Sequence, residues 1–183
     1  MSIRLKLLRK KMGVTLEALA ESSGMTKSYL SKVERGLNTP SIAAALKLAK
    51  ALHVNVEDLF SESEANLDSY SLVRHDQRRL LTNSEQGSSY AVLAHQVSDR
   101  NLLPFMMSPP AEFAGTTFKE HVGEEFLFVH EGRVEVDFMN ERVILERGDA
   151  LHFNAQKPHR LRSVGEVQAQ LLVVVHSEKD DDA

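Results

Sequence analysis

Polar and basic side chains cluster on one face of the segment between residues 26 and 35. If this segment is helical, Leu30 and Val33 fall on its inner side. The outer side carries Lys27, Ser28, Tyr29, Ser31 and Lys32. Ammonium and hydroxyl groups of this kind bind phosphates and the edges of bases in the major groove of DNA. The face therefore indicates a helix that reads DNA.

The residues before this face have the spacing of a helix-turn-helix. Ala20 is small and lets two helices cross closely, and Gly24 allows the positive φ that a tight turn requires. Thr15 and Thr26 stand where the two helices begin, and a hydroxyl there can accept a backbone hydrogen bond and cap the helix. Residues 15–35 are therefore predicted to form two short helices joined by a turn.

Three more helices are predicted around this pair, which makes a five-helix, all-α domain over residues 1–60. The first covers residues 2–12, where apolar positions alternate with basic ones. The fourth opens at residues 40–41 and has one apolar stripe. A short fifth helix begins at Asn55, with Asp58 three residues later.

Charge is distributed unevenly along the 183 residues. Residues 1–60 contain ten Lys or Arg and five Asp or Glu, whereas residues 61–183 contain twelve and twenty-one. A basic head on an acidic body suits a protein that touches phosphate at one end only. The chain has no Cys, which excludes disulfides and thiolate metal sites. It also lacks a membrane-length apolar run and a signal-peptide pattern, so a cytoplasmic protein with no membrane partner is predicted.

The pattern changes from helical to β after a polar, acidic stretch at residues 61–69, which is predicted to be a linker. Residues 70–178 carry short β-branched and aromatic runs between turn signals, and this favours an antiparallel sandwich or barrel. Residues 179–183 are expected to be a disordered acidic tail. The whole chain is thus predicted to be α+β, with an all-α domain followed by an all-β one.

Seven strands are expected in this second domain. They lie at residues 71–75, 89–97, 124–131, 133–139, 141–146, 150–153 and 167–176. Asn140 and Glu141 stand between two of them and predict a tight hairpin. The continuous apolar run at residues 171–175 predicts a strand that is buried on both faces.

The first 60 residues resemble the phage-repressor and Xre-type DNA-binding domain. The matching pieces are LRKKMGVT, SSGMTKSYLSKVERG, TPS and LKLAKAL. The resemblance implies that the helix from Thr26 to Arg35 is the recognition helix in the major groove. It also implies that Arg9 pairs with Glu34 as a structural contact. Leu16 replaces a Gln that many members carry, and this puts one polar DNA contact in doubt.

Roles within this surface follow from chemistry and position. The exposed start of the recognition helix offers base contacts through Lys27, Ser28 and Tyr29, although Tyr29 could pack against the protein instead. The groups placed for phosphate are Lys32, Asn38 and Thr39, together with the backbone N–H groups at the helix that begins after Thr15.

Two segments of the second domain, HVGEEFLFVHEG (121–132) and GDALHFNAQKPH (148–159), resemble the paired motifs of a cupin. The resemblance implies a cupin barrel in which His121, Glu125 and His159 bind a divalent metal such as Zn, Ni, Fe or Mn. Lys119 stands where the family's first His would be, so the metal set is incomplete. The alternative is that the three residues hydrogen-bond to one another inside a barrel without metal.

A small-molecule effector would occupy the same region. Lys119 could form a salt bridge with an anionic effector, and Phe118 and Phe153 are expected to line its pocket. His130 and His152 have no role in either motif and are interpreted as ordinary strand residues.

The joined architecture resembles a class of bacterial transcription regulators that sense amino acids, polyamines or short peptides. The resemblance implies a repressor that is a homodimer through the cupin, binds a near-palindromic operator and responds to a small metabolite. It implies no enzyme activity. Two alternatives stay open: a metal-dependent cupin enzyme that carries a DNA-binding domain, and a dimeric DNA-binding protein that responds to no effector.

Overall fold

A computed structural model describes residues 4–60, 71–83, 87–94, 101–113 and 115–176. The chain divides into two compact units, one made largely of Met1–Ser71 and the other largely of residues 72–183. We call them the helical unit and the β unit. The predicted linker at 61–69 and the predicted tail at 179–183 lie outside the described residues. No helix among the described residues is long and apolar enough to cross a membrane.

Four α-helices build the described part of the helical unit. They are α1 (Leu5–Lys11), α2 (Leu16–Ser23), α3 (Lys27–Glu34) and α4 (Ile42–Leu52). Thr15, Thr26 and Ser41 cap the last three, because each hydroxyl accepts a hydrogen bond from the backbone N–H three residues later. The predicted caps at Thr15 and Thr26 are confirmed.

The turn between α2 and α3 has the predicted form. Gly24 adopts φ 67°, in the left-handed region that side chains disfavour, and closes α2. The two helices and α4 then enclose a small apolar core. Its fully buried members include Leu19, Leu30, Val33, Leu48 and Leu52.

The predicted fifth helix is wrong as an α-helix. Residues Val56–Leu59 form one turn of 3-10 helix instead. The N–H of Asp58 donates to the carbonyl of Asn55, three residues back, and the Asp58 carboxylate accepts from the Asn55 N–H. These bonds close a turn that is too short to start the four-residue spacing of an α-helix.

Nine strands are present among the described residues of the β unit. They are β1 (Leu80–Asn83), β2 (Ser88–Val92), β3 (Leu102–Ser108), β4 (Glu124–Glu131), β5 (Val134–Asp137), β6 (Arg142–Leu145), β7 (Ala150–Asn154), β8 (Arg160–Ser163) and β9 (Gln170–His176). One sheet has the order β1-β2-β3-β9-β4-β7, and the other has the order β6-β5-β8.

The predicted closed barrel is corrected to two separate sheets in the described part of the chain. Pro109 and Pro110 follow β3, and because proline has no N–H they cannot extend its ladder. Lys119 and His159 form only an isolated antiparallel bridge. The sheets therefore meet through side chains and loops and not through a continuous ladder.

The central strand β9 also differs from its prediction. Leu171, Val173 and Val175 are fully buried, whereas Leu172 and Val174 between them are half-buried. One face of the strand thus fills the core and the other forms the outer side of the sheet.

Strand positions were predicted unevenly. Five expected strands correspond to β4, β5, β6, β7 and β9, and a sixth overlaps β2. Residues 71–75 are wrong as a strand, since they run without regular structure into a 3-10 helix at His75–Gln77. Polar or proline-containing sequence concealed β1, β3 and β8. Pro104 lies inside β3, where a sequence pattern argues against a strand.

The predicted hairpin between β5 and β6 is confirmed. The N–H of Phe138 donates to the carbonyl of Glu141 at 2.9 Å, and the turn carries Met139 at φ 70°. Met139 is 62% exposed at the tip. A residue with a side chain rarely adopts this φ, so the tip is locally strained.

A candidate DNA-binding surface and a candidate metal centre

The start of α3 presents the polar face that the sequence predicted. Thr26, Lys27, Ser28 and Lys32 are exposed, and Tyr29 is half-buried. Leu30 and Val33 are completely buried on the opposite side of the same helix. The two faces of α3 are therefore separated as a recognition helix requires, with its inner side fixed by the core.

Lys27 is held by a neighbouring helix. Its ammonium group forms an ion pair with the carboxylate of Glu17 in the first turn of α2. The hydrogen bond from Lys27 lowers the pKa of Glu17 below its ordinary value. Both side chains are 60% or more exposed, so water screens the pair and it can open when a phosphate or base competes for Lys27.

The predicted structural pair of Arg9 and Glu34 is confirmed. Two parallel hydrogen bonds of 2.6 and 3.1 Å join the guanidinium group to the carboxylate. A third bond runs from Arg9 to the carbonyl of Val14 at 2.9 Å. The hydrogen bond to Glu34 raises the pKa of Arg9. Since both side chains are largely buried, this fork ties α1 to the end of α3.

The other residues predicted to contact DNA lie before and after α3 in the sequence. Asn38 and Thr39 lie in the loop after α3 and are half-buried. The hydroxyls of Thr15 and Thr26 serve the caps described above, which leaves backbone N–H groups of the first helical turns as the donors at these positions.

His121, Glu125 and His159 come together in the β unit. Their ligand atoms all lie within 4.8 Å of one another. The Nε2 atoms of His121 and His159 are 3.1 and 3.4 Å from the same carboxylate oxygen, Oε2 of Glu125. The three side chains are 3–8% exposed. Glu125 projects inward from β4, and the two histidines come from the segments that precede β4 and β8.

The outer nitrogens of both rings are fixed by the backbone. Nδ1 of His121 is 3.1 Å from the carbonyl oxygen of Val122, and Nδ1 of His159 is 2.9 Å from that of Lys157. A carbonyl can only accept, so each Nδ1 carries a proton and donates it. Each Nε2 then faces Glu125 as either a second N–H or a lone pair.

This arrangement fits a divalent cation. A ring that donates from Nδ1 to a carbonyl presents the Nε2 lone pair in the tautomer that binds metals. Two such lone pairs and one carboxylate oxygen converge on one buried point. Without a cation, proton sharing with Glu125 is what stabilises the cluster.

The charges of the cluster follow from this sharing. Burial acts to raise the pKa of Glu125, but hydrogen bonds from His121 and His159 outweigh it and bring the pKa to about 2. Burial acts to lower the pKa of His159, and the bond to Glu125 reverses this and raises it. The cluster therefore keeps a carboxylate ionised in a buried place.

Lys119 is held beside His159 through the backbone. The N–H of each residue donates to the carbonyl of the other, at 2.8 and 3.0 Å. Residues directly opposite each other in an antiparallel pair project to the same face. The Lys119 side chain thus shares a face with the His159 ring, where the sequence predicted an effector contact.

The two predicted pocket phenylalanines are placed differently. The Phe153 ring meets the His159 ring edge-to-face with centroids 4.9 Å apart, so it borders the cluster. The Phe118 ring lies 4.5 Å from the guanidinium carbon of Arg160 and makes no ring contact with either histidine in the described structure. The assignment of Phe118 to a pocket stays a prediction.

Comparison with known proteins matches both units. Residues 5–59 match the helix-turn-helix family, and residues 104–175 match the cupin domain family. The HTH-type transcriptional regulator PuuR of Escherichia coli is 28% identical over 157 residues, which cover 85% of this chain and 83% of that protein. The chain therefore carries a helix-turn-helix domain followed by a cupin domain, and over most of its length it is similar to a transcriptional regulator. The β unit is the cupin unit of this chain.

Other known proteins match either the helix-turn-helix domain alone or nearly the whole chain. The HTH-type transcriptional regulator SinR of Bacillus subtilis is 47% identical over 60 residues, or 32% of this chain and 54% of that one. An HTH_3 family transcriptional regulator from Vibrio cholerae has a TM-score of 0.68 at 24% identity, with 96% of this chain and 94% of that chain covered. The Fe(II) form of HppE has a TM-score of 0.52 at 22% identity, with 94% and 95% covered. Both structural likenesses establish the fold.

Phe138 and Lys157 support the cupin site through contacts that the sequence did not predict. Phe138 stacks edge-to-face on Phe153, and the Lys157 ammonium lies 4.2 Å from the centre of the Phe138 ring. The carbonyl of Lys157 is the acceptor for His159. Lys157 therefore links the β5–β6 hairpin to a ligand of the candidate metal centre. No motif marks it.

A charged cluster on the smaller cupin sheet was also missed. Glu135 and Asp137 are buried on β5, where they bind Arg162 and Arg160 of β8 at 2.5 and 2.7 Å. The aromatic ring of Phe113 lies 4.3 Å from the guanidinium carbon of Arg160. Alternation of Glu and Asp with Val in VEVD was the available signal, because a buried strand with two acids needs basic partners.

Proposed function

We propose that the protein is a sequence-specific transcriptional repressor whose affinity for its operator is controlled by a small metabolite bound in the cupin domain. The observation that carries the proposal is the presence of two sites in one chain. One is an exposed polar helix face, and the other is a buried, three-residue ligand cluster. A regulator needs one surface for DNA and a separate site for a signal.

The helical unit supports the DNA-binding half of this proposal. Lys27, Ser28 and Tyr29 occupy the start of α3, and their chemistry suits base edges. Lys32, Asn38, Thr39 and the N-terminal turn after Thr15 would contact phosphates. Sequence preference would come from the first group, and salt-dependent affinity from the second.

The cupin supports the effector half. His121, Glu125 and His159 would hold a divalent metal such as Zn, Ni, Fe or Mn, and a bound metal would act as a Lewis acid with positions open to a chelating effector. HppE, which shares the fold, has been crystallised with Fe(II). Lys119 would bind a carboxylate of the effector, and Phe153 would pack against its apolar part. Amino acids and short peptides combine these groups. A polyamine would bind without the Lys119 contact.

Assembly as a homodimer would place two recognition helices about one turn of DNA apart on a near-palindromic operator. The outer face of the larger cupin sheet supplies an apolar surface for it. Met106, Leu172 and Phe128 lie side by side across β3, β9 and β4. The next row contains Val174 and Phe126, and Phe126 is 38% exposed. Half-exposed apolar rows of this kind suit self-association.

Selection of bound duplexes from a randomised pool tests the DNA-binding half. The full-length protein should enrich a near-palindromic sequence, and Lys27→Ala or Ser28→Ala should weaken binding to it by about tenfold or more. Lys47→Ala removes a similar exposed charge from α4 and serves as the control. Equal losses on enriched and unrelated duplexes would show that Lys27 and Ser28 only touch phosphate. A reporter downstream of the enriched sequence then separates repression from activation.

Elemental analysis of protein prepared without chelators tests the effector half. We expect about one divalent metal per chain, lost in His121→Ala and retained in His130→Ala, which removes an exposed histidine of β4. Candidate chelating metabolites should then change operator affinity for the unaltered protein but not for His121→Ala. If no metabolite changes the operator affinity or the Tm, the dimer that responds to no effector becomes the better description.

The second candidate function is a metal-dependent cupin enzyme that carries a DNA-binding domain. The observation that favours it is the two-histidine, one-carboxylate set itself, which also suits oxygen chemistry on iron. Lys119, on the same face as His159, is the additional ionisable group that an enzyme mechanism could use. Product formation by the metal-loaded protein, abolished by Glu125→Gln, would establish this function.

A further inference from the structure

A short basic segment lies at the start of the cupin unit, outside the candidate DNA-binding surface of the helical unit. It has the sequence RHDQRR at residues 74–79 and contains three of the twelve Lys and Arg residues found after residue 60. Arg74 caps a 3-10 turn at His75–Gln77, and residues 74–77 are all exposed. The segment is therefore a basic patch on a unit whose net charge is acidic.

Three arginines at the smaller sheet of this unit have internal partners. Arg142, Arg160 and Arg162 all bind Glu135 or Asp137 within 3.2 Å. Arg74 and Arg78 differ, because neither pairs with a carboxylate in the parts of the chain that the structure describes. Their charges are thus available to a partner.

The surroundings of Arg78 give a second reason to expect an external partner. Its Nε–H is buried and has no acceptor among the described residues. Buried donors in folded proteins nearly always have an acceptor, and a guanidinium group is shaped for two oxygens of a phosphate or carboxylate. An oxyanion supplied from outside the unit would satisfy this donor and the charge together.

We propose that Arg74 and Arg78 form an auxiliary phosphate-binding surface for double-stranded DNA, in addition to the base-reading helix. The proposal rests on the proposed DNA-binding function and extends it to the cupin unit. DNA is the partner that fits, because the same chain presents a recognition helix and because the duplex backbone is a continuous row of phosphates.

Chain length permits this contact. Ten residues separate Phe60 from Ser71, and ten residues span at most roughly 36 Å in any conformation. One turn of a DNA duplex is about 34 Å long. The ten-residue segment is therefore long enough to let both units of one molecule contact the same duplex.

Salt dependence of DNA binding tests the proposal directly. The probe is a fluorescein-labelled 30-base-pair duplex of mixed sequence, titrated with full-length protein between 50 and 200 mM salt. Each phosphate contact adds about 0.9 to the slope of log K against log salt. Arg74→Gln combined with Arg78→Gln should reduce this slope by about 2 and raise the Kd near 100 mM salt by at least about tenfold.

Two matched variants isolate the effect. Arg133→Gln with Arg147→Gln removes the same charge from exposed turns of the same unit and should leave the slope unchanged. Arg74→Lys with Arg78→Lys keeps the charge and should retain most of the slope. An unchanged Tm shows that each variant is folded.

The outcomes separate this inference from the function beneath it. If the unaltered protein binds the duplex and the Arg74/Arg78 variant keeps the full slope, the auxiliary surface is wrong and the recognition helix stands. An equal loss in the Arg133/Arg147 control also overturns it, since net charge alone would then explain the change. If the unaltered protein fails to bind any duplex at 50 mM salt, the proposed DNA-binding function itself fails.

Discussion

The two units place the polar side chains of their candidate sites in opposite surroundings, one at the surface and the other in the interior. In the helical unit, the candidate DNA-binding groups are exposed or half-buried and lie close together in sequence, between Thr15 and Thr39. Those on α3 rest on a buried stripe of Leu30 and Val33. In the cupin unit, the candidate metal ligands are buried, and two neighbouring ligands, His121 and Glu125, meet a third, His159, that is distant in sequence. An exposed site needs a rigid support behind it. A buried site needs every polar atom satisfied before a ligand arrives.

This difference explains why hydrogen bonds are distributed as they are. Lys27 has one screened, breakable partner in Glu17. His121 and His159 have fixed backbone acceptors on one side and Glu125 on the other. Flexibility is tolerated on a surface that must adapt to DNA, whereas an unpaired group in the interior would be strongly destabilising.

The largest expected effect tests whether the two units are stable independently. Leu30→Ala in α3 should lower the free energy of unfolding of the helical unit by about 3 kcal/mol, because a completely buried side chain leaves a cavity. Leu127→Ala in β4 should do the same to the cupin unit. Hydrogen exchange followed by mass spectrometry reports each unit separately. If either variant increases exchange equally in both units, they unfold as one.

Next in size is the loss of metal affinity in Glu125→Gln. The amide keeps the shape of the side chain but removes the charge, so affinity measured by competition with a chelating dye should fall by at least about 100-fold. Glu124→Gln is the matched control, because the adjacent residue projects from the other face of β4 and is exposed. A comparable fall in the control would contradict the inward and outward assignment of this strand.

A smaller effect is expected at the helix caps. Thr26→Ala should reduce the free energy of unfolding of the helical unit by about 1 kcal/mol, since the Tyr29 N–H loses its acceptor. Thr26→Ser keeps the hydroxyl and should retain most of the stability. Urea unfolding followed by helical circular dichroism measures both. Equal instability of the two variants would mean that the methyl group, and not the cap, is what matters.

The smallest expected effect is a pH dependence confined to the cupin unit. Burial acts to raise the pKa of Asp137, but the hydrogen bond from Arg160 lowers it below its ordinary value. A lowered pKa in the folded state gives stability that is present at neutral pH and is lost as pH falls below about 4. The stability difference between the unaltered protein and Arg160→Met, measured in urea, should therefore shrink between pH 7 and pH 3.5. A constant difference would assign the role of Arg160 to packing.

The same contrast determines how much the sequence could predict. In the helical unit, each signal that we used is local: a helix cap or an apolar stripe is recognised from residues three or four positions apart. Thr15, Gly24 and Thr26 have the predicted roles in the structure. The fifth helix failed because a single turn at Val56–Leu59 is decided by hydrogen bonds that the α-helical period does not describe.

In the cupin unit, prediction depended on the two motifs. They located His121, Glu125 and His159, and the structure brings these residues together. Motifs carry no information on Lys157, Phe138 or Arg160, because these side chains act through partners that sheet topology brings close. The strand β3 was missed since Pro104 argues locally against a strand, and pairing with β2 and β9 overrides it.

The hairpin tip offers room for improvement that natural selection has left unused. Met139 adopts φ 70° while most of its side chain lies in water, so it adds strain and little packing. Asparagine tolerates this conformation better, and Met139→Asn should gain up to about 1 kcal/mol. Natural sequences settle just above the stability that they need, and such positions are where an engineer can begin.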